Sequence, residues 1–439
     1  MKSIYDLLIQ WNDSNPDFIF LKHEKSHSIS DVLFEVEAIS KSLSFISSQH
    51  IGIRLSSKLD FILLYLACIN SNKTPIIFKN IWGVDEINFL INKYNIDHII
   101  CDWDGKKLFN NNTTLYFFEE LVNSSRGCGI PKYLNNRNTF ESVVFTSGST
   151  GFPRGVCLER KNFYYSSLYW NQEIGFDSTD RYALCIPLHH IAGLSILYRS
   201  IYNKFGIDLL DNYREINSIS SSIISLVPSM LNKLITQNNY HKSLQSYKAI
   251  ILGGESANQD LLEKCIELKL NIFISYGMTE TCSGISGFWL NNHIDKCSSV
   301  GKPFSNVDIS IINNNVSIAS DMNMRGYYQK SPSTQPFISS DLGRIKDGFL
   351  YIMGRGDDIV VCRGEKINLN YIKNILLEHD SIDSAEVNMR TNKKNEDFIE
   401  ANIIINNHKV DKGAIKEWCQ KKIGKYKTPK EINIKKDVT

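Results

Sequence analysis

The chain has no C-x-x-C pair, no apolar stretch long enough to cross a bilayer, no excess of either charge and no visible internal repeat. Its ten cysteines are scattered over 439 residues. Neither a zinc site nor a disulfide framework is suggested, and free, mostly buried thiols in a reducing cytoplasm are expected. The longest apolar run, Phe61 to Ile69, is far short of the roughly 20 residues of a spanning helix. The N-terminus, Met1-Lys2-Ser3-Ile4-Tyr5-Asp6, is charged within its first turns and lacks a small-residue cleavage site, which argues against a signal peptide. With 49 basic and 47 acidic side chains the net charge is +2, which argues against a general nucleic-acid or anionic-membrane surface. A soluble, cytoplasmic protein without nucleic-acid or membrane partners is expected; a homo-oligomer stays open.

What is present is ordinary for a globular protein: 42% hydrophobic and 22% charged residues. The length exceeds one hydrophobic core and predicts two or three domains. Helical spacing covers Asp31 to about Ser47, and Asp60 to Asn70 with Asp60 near its N-cap. Pro75 to Phe78, Val84 to Tyr94 and Asp97 to Cys101 read as strand, helix, strand, an alternation that implies a parallel sheet. Strands are predicted at Tyr182 to Ile186, Ala249 to Leu252 and Ile272 to Ser275, and helices at Ile191 to Tyr202, Pro228 to Gln237 and Gln259 to Leu268. Val307 to Ile312 reads as an antiparallel strand of a smaller sheet. Beyond Gly354-Arg355-Gly356-Asp357-Asp358 the texture becomes a compact α+β mixture of about 85 residues. The expected division is therefore 1–353 and 354–439.

Val143-Val144-Phe145 opens into Thr146-Ser147-Gly148-Ser149-Thr150-Gly151-Phe152-Pro153-Arg154-Gly155, four hydroxyls and three glycines closed by one cation. Glycines let N–H groups turn inward, and N–H groups, hydroxyls and a cation in one concavity suit phosphate. The sequence departs from G-x-x-x-x-G-K-[ST], because Pro153 interrupts and Val156 follows Gly155. A polar turn between two strands is the alternative reading.

Three further constellations carry chemistry. Tyr276-Gly277-Met278-Thr279-Glu280 follows a strand and would emerge at its carboxyl end, where ligands of parallel sheets gather. There Thr279 could donate to a phosphate, Glu280 could hold Mg²⁺ beside phosphates, and Tyr276 could stack on a base; a capped strand-to-helix turn is the plainer reading. Asp341-Leu342-Gly343 and Arg355 flank the strand Phe349 to Met353, and an Asp accepting two hydrogen bonds suits a ribose diol. A hairpin turning at Lys346-Asp347-Gly348 is compatible with that. His189 and His190 are adjacent, cannot face one way and so make a poor metal pair. One in a pocket and one packed is expected, with a capping or core role for both as the alternative; Arg199, nine residues beyond His190, could reach deeper into that pocket or lie on a solvated helix face.

In this order, the motifs resemble the acyl-adenylate-forming superfamily of acyl-CoA synthetases, adenylation domains and firefly luciferase. Thr146 to Gly155 looks like its phosphate loop, with Arg154 in place of the usual Lys. Tyr276 to Glu280 resembles its second core motif, Asp341 its ribose-binding aspartate, and Gly354 to Asp358 with Arg363-Gly364 its hinge region. Ser340 stands where a Gly is usual and Val361 where a Lys is frequent. The resemblance implies an α/β fold: a large N-terminal domain of doubly wound sheets with a smaller β-barrel-like sheet, and a small mobile α+β C-terminal domain. It implies ATP, Mg²⁺ and CoA as cofactors and a small carboxylic acid as substrate. ATP or AMP would be bound by Thr146, Ser147, Gly148, Ser149, Thr150, Gly151, Gly254, Tyr276, Thr279, Asp341 and Arg355. Catalytic roles fall to Arg154, His190, Thr279 and Glu280, with Glu280 on the metal. The acid would meet His190, Arg199 and Gly277, Gly364 would leave room for the CoA arm, and Asp357 would be the hinge.

Pro187-Leu188-His189-His190-Ile191-Ala192-Gly193-Leu194-Ser195 and Tyr276 to Ser283 look most like the o-succinylbenzoate CoA ligases of menaquinone or phylloquinone biosynthesis, where a basic residue at the Arg199 position is associated with the far carboxylate. Another acyl or aryl acid adenylating enzyme, using CoA or a carrier protein, and a non-catalytic nucleotide- or acyl-binding homologue are the alternatives. Superfamily members usually continue past a segment like Tyr426-Lys427-Thr428-Pro429 to a glycine-lysine motif. The sequence as given ends at Val438-Thr439 before it, so either it is truncated or the lysine is lost. No other lysine is assigned that role, and for the chain as given slow adenylation with largely preserved thioester formation is the expectation.

Overall fold

The computed structural model describes residues 1–80, 82, 84–102, 113–124, 140–146, 153–356, 359–362, 365–391, 397–405, 411–425 and 427–435. Ser147, Gly148, Ser149, Thr150, Gly151, Asp357 and Gly364 lie outside the described residues. Two compact units divide the chain: Met1–Asp308 with Ala319–Phe337, and Ile309–Ile318 with Ile338–Thr439.

The first unit holds two large sheets. In the nine-stranded sheet, Ile272–Met278, Ala249–Leu252, Ile223–Leu226, Arg181–Leu184, Gly206–Leu209 and Ile19–Lys22 run parallel in that spatial order. Ser283–Trp289, Lys302–Pro303 and Ser26–Ser28 add antiparallel edges. The inner strands Gly206–Leu209, Ile223–Leu226 and Ala249–Leu252 are buried along their whole length, as strands covered on both faces must be. In the seven-stranded sheet, Ser142–Thr146, Thr74–Ile77, His50–Arg54, His98–Cys101 and Thr114–Phe117 are parallel. Arg154–Leu158 and Gly326–Tyr327 extend it antiparallel.

The α/β class holds, and the helix Val84–Tyr94 and the strand Ala249–Leu252 occupy the residues that periodicity predicts. Helix starts shift where capping decides. The helix Lys58–Asn70 begins ahead of the expected Asp60, because Ser57 is the N-cap and its hydroxyl accepts from Asp60 N at 3.2 Å. Likewise Ser28 and Asp31 form a capping box that starts the next upstream helix at Ile29.

The second unit carries a four-stranded sheet in the order Asp308–Ile312, Asn315–Ala319, Phe337–Lys346, Phe349–Arg355. Contact density thus groups residues 309–318 and 338–353 with the C-terminal residues, although the sequence reading counts them with the N-terminal part. The predicted hairpin forms: Lys346 pairs with Phe349, and the intervening Asp347 (φ 54) and Gly348 (φ 78) adopt the left-handed turn that suits the strand twist. A three-stranded sheet, Ile382–Thr391, Asp397–Ile405 and Glu431–Lys435, packs with helices Leu369–Leu377 and Lys412–Ile423 around Ile372, Leu376, Ala401, Ile403 and Ile415.

Among the described residues no helix is long and apolar enough to cross a membrane. The cysteines whose side chains are described are free, and all but Cys297 are buried.

Candidate active site

The glycine-rich segment is flanked by two paired strands. Ser142–Thr146 pairs antiparallel with Arg154–Leu158 in a register that sets Phe145 against Gly155 and Thr146 against Arg154. Gly155 is required by packing: a Cβ there would lie 2.8 Å from Val143 Cγ1 and 3.1 Å from Tyr328 Cβ. The two strands that flank the segment are therefore adjacent and antiparallel, while Ser147 to Phe152 lie outside the described residues.

Arg154 and Glu280 are brought close by a residue that the sequence reading missed. The Arg154 guanidinium carbon lies 4.6 Å from the centroid of the Tyr327 ring, and the Tyr327 hydroxyl donates to Glu280 Oε1 at 3.0 Å. Glu280 is buried, and its backbone carbonyl accepts from Met324 N at 2.7 Å. No local signal marks Tyr327: in Gly326-Tyr327-Tyr328 an aromatic reads as core, and its contact with Glu280 spans 47 positions.

Tyr276, Gly277 and Met278 do not leave the sheet as expected. They belong to the strand Ile272–Met278, because Ser283–Trp289 returns antiparallel beside it, with Gly277 facing Gly284 and Met278 facing Ser283. Thr279–Thr281 is a single 3₁₀ turn between these strands rather than the start of a helix. Gly277 has a structural reason to be glycine, since a Cβ there would sit 2.0 Å from Ser283 O. Cys282 (φ 50) and Ser283 (φ 96) then hold left-handed backbone without being glycine, a strained conformation that persists only where neighbours enforce it. The neighbours are evident. Thr281 Oγ1 donates to Ser283 O at 2.9 Å, and Ser166 Oγ to Cys282 O at 2.9 Å.

Ser283 is also the partner of Arg199. On the helix Ile191–Asn203, Arg199 is 2% exposed, donates from Nη2 to Ser283 Oγ at 2.8 Å and stacks 4.1 Å from the centroid of Trp170. Trp170 Nε1 donates to the same hydroxyl at 3.2 Å. Burial lowers the guanidinium to about 10, with Tyr182 and Cys282 opposing the shift. Its Nε has no hydrogen-bond partner among the described residues. Ser283 closes the Tyr276 to Ser283 segment but has no role assigned from sequence, and Trp170 carries no motif signature.

The parallel strands of the large sheet end at one edge, and their register places the neighbouring segments together. Leu226 pairs with Leu252 and Leu252 with Ile274, so Gly254 (φ +83) leaves its strand beside Tyr276. The segment after Leu184 ends at the same edge with His189 and His190. His190 is the N-cap residue of the helix, accepting from Gly193 N and Leu194 N at 3.0 Å through its carbonyl. The rings stand 4.6 Å apart at 50°. His189 is buried, and burial, the neighbouring His190 and Lys79 push it down to about 3. His190 is exposed. Its ring is nonetheless partly desolvated by the residues around it, and that and Lys79 lower it to about 4, so both rings are neutral at pH 7.

In the second unit, Asp341 and Arg355 are cross-strand partners, with Arg355 Nε 3.6 Å from Asp341 Oδ1 and Arg355 Nη2 donating to Ser340 Oγ at 2.7 Å.

The described residues contain no cluster of three or more His, Cys, Asp or Glu that could enclose a metal. A single buried carboxylate such as Glu280 fits instead a Mg²⁺ that takes its other ligands from nucleotide phosphates and water.

Residues 9–328 match the family of AMP-binding enzymes. The chain belongs to this family. Within reach of sequence comparison, 2-succinylbenzoate–CoA ligase of Bacillus subtilis (strain 168) is 30% identical over 319 residues, covering 67% of this chain and 64% of that enzyme. The corresponding ligase of Bacillus velezensis is 31% identical over 66% of this chain and 63% of its own. The matched stretch thus spans a little under two thirds of these relatives. In three dimensions, o-succinylbenzoate coenzyme A synthetase (MenE) of Bacillus subtilis in complex with AMP superposes with a TM-score of 0.87 at 23% identity, covering 98% of this chain and 94% of that one. The same enzyme with its acyl-adenylate intermediate OSB-AMP gives 0.88 at 24% identity. Likeness at that identity establishes the family fold.

Proposed function

We propose that the protein is an ATP-dependent acid–thiol ligase that forms an acyl-AMP with release of pyrophosphate and then an acyl-CoA, and that its acid is o-succinylbenzoate. The observation that carries the choice of acid is Arg199. A buried guanidinium with an unpartnered nitrogen, anchored on the turn that also bears Glu280, suits a second carboxylate on the substrate. Curated relatives named as 2-succinylbenzoate–CoA ligases support the same reading.

The chemistry asks an anionic carboxylate to attack an anionic α-phosphate. Arg154 at the hairpin and the hydroxyl of Thr279 supply positive charge and donors there. Mg²⁺ held on Glu280 would screen the phosphates. Neutral His189 and His190 add no charge that would compete for the carboxylate. We assign the ribose to Asp341 and Arg355, the base to Tyr276 beside Gly254, the remaining phosphate contacts to Thr146 through Gly151, the hinge to Asp357 and the passage for the CoA arm to Gly364. The product would enter menaquinone or phylloquinone biosynthesis.

The test is ATP–pyrophosphate exchange with o-succinylbenzoate, simple benzoates and fatty acids, followed by transfer to CoA or to a carrier protein. Exchange strongest with o-succinylbenzoate and thioester formed on CoA is the expected result. A preference for monocarboxylic acids overturns the assignment of the acid. ATP binding without exchange for any acid overturns the ligase.

A further inference from the structure

Tyr327 contacts both Arg154 and Glu280, each through a different part of its side chain. An arginine fork matches a carboxylate in two parallel hydrogen bonds, yet among the described residues Arg154 and Glu280 form no ion pair and both contact Tyr327 instead. Here the ring face of Tyr327 takes the cation at 4.6 Å and its hydroxyl takes the anion at 3.0 Å. Both are favourable for a phenol, whose face is electron-rich and whose O–H is a donor. The hydroxyl uses one of the roughly four lone-pair positions of a carboxylate and leaves the others available. Arg154 Nε is buried without a hydrogen-bond partner among the described residues, so the ring is what steadies that end of the guanidinium.

Tyr327 itself is tied to the hairpin. It pairs with Val156, Gly326 pairs with Cys157, and Tyr328 N donates to Gly155 O at 2.7 Å. Its ring is therefore fixed relative to Arg154 by the same ladder that carries Arg154.

We propose that Tyr327 is a positioning residue that keeps the hairpin's cation and the Glu280 carboxylate apart and aimed, so that neither neutralises the other before phosphate and metal arrive. The inference rests on the adenylation reading above. It predicts a division of labour within one side chain: the hydroxyl serves the metal-binding carboxylate, and the ring serves the phosphate-binding cation.

The experiment is calorimetric titration of the full-length protein with ATP, with and without Mg²⁺, for wild type, Tyr327→Phe, Tyr327→Leu and Tyr328→Phe. Tyr328→Phe removes a hydroxyl paired with His50 Nδ1 at 2.9 Å, one residue along and outside the site. Tyr327→Phe is expected to bind metal-free ATP as wild type does and to lose about three- to tenfold of the affinity gained with Mg²⁺. Tyr327→Leu is expected to weaken metal-free ATP as well, and Tyr328→Phe to change neither. Identical behaviour of the two Tyr327 variants, an unchanged Mg²⁺ response in Tyr327→Phe, or an equal loss in Tyr328→Phe overturns the proposal. Failure of wild type to bind ATP at all overturns the adenylation reading itself. Should Tyr327→Leu not fold, the comparison of wild type with Tyr327→Phe still decides, because only one hydroxyl differs.

Discussion

Thr146 and Arg154 face each other as direct partners at the last rung of the hairpin that leads into the glycine-rich loop. The two ends of the loop are thereby held one strand spacing apart, and the cation stands at the root of the loop instead of on a mobile arm. Arg154→Ala is expected to lower kcat/KM for ATP by about 10²-fold, the usual loss when one preorganised charge is removed. Thermal stability should change little, since the ladder is backbone. Steady-state kinetics at saturating acid, beside a melting curve, checks both halves.

Arg199 makes a contrasting case. Its charge is buried without an ion-pair partner among the described residues, and a buried charge that is not paired is costly to hold in the folded state. Arg199→Met is therefore expected to melt at or above the wild-type temperature. Under the proposed function its KM for o-succinylbenzoate should rise about tenfold or more, with ATP affinity unchanged. A fall in stability together with an unchanged KM would make Arg199 a structural residue.

Acid sensitivity should be traceable to His189. The folded protein holds this ring neutral down to about pH 3, whereas the unfolded chain protonates it near its ordinary value of about 6.5. The unfolded state thus binds the extra proton across that window. Stability is fully present above about pH 6.5 and falls on acidification, by about 1.4 kcal/mol per pH unit at full slope. Between pH 7 and 5, equilibrium urea unfolding should show wild type losing about 2 kcal/mol more than His189→Gln.

Gly277→Ala is expected to destabilise by about 2–3 kcal/mol, since strands this close separate only by breaking their pairing. The built Cβ meets backbone on the neighbouring strand, Ser283 O at 2.0 Å and Gly284 Cα at 2.5 Å, so no side chain can move aside. Chemical denaturation measures it. A variant as stable as wild type would mean that the bulge between Tyr276 and Gly277 can relax.

Local signals read well wherever they decide the structure. The helical period of Val84–Tyr94 and the Asp347-Gly348 turn act within a few residues, and both form as the sequence implies. The motif after Ser275 differs from its sequence expectation for a physical reason. Whether Tyr276 leaves the sheet depends on a strand that returns beside it, and nothing in Tyr276-Gly277-Met278 encodes that partner. The sequence offers Arg199 as a cation that could enter a pocket or lie on a solvated helix face; its burial is set by Ser283 and Trp170, which come from a strand 84 positions later and a helix before it. Tyr327 was illegible for the same reason, since its role exists only through two contacts made across the fold.

The turn from Met278 to Ser283 is touched at both ends. Glu280 lies within it, tied to Tyr327, while Ser283 at its close accepts from Arg199. Its strained backbone at Cys282 and Ser283 leaves little freedom for one end to shift alone. Under the proposed function, recognition of the acid at Arg199 and of the metal at Glu280 would then be two readings of one stiff lever. Changes at Arg199 and Glu280 should fail to add, each altering the free-energy cost of the other.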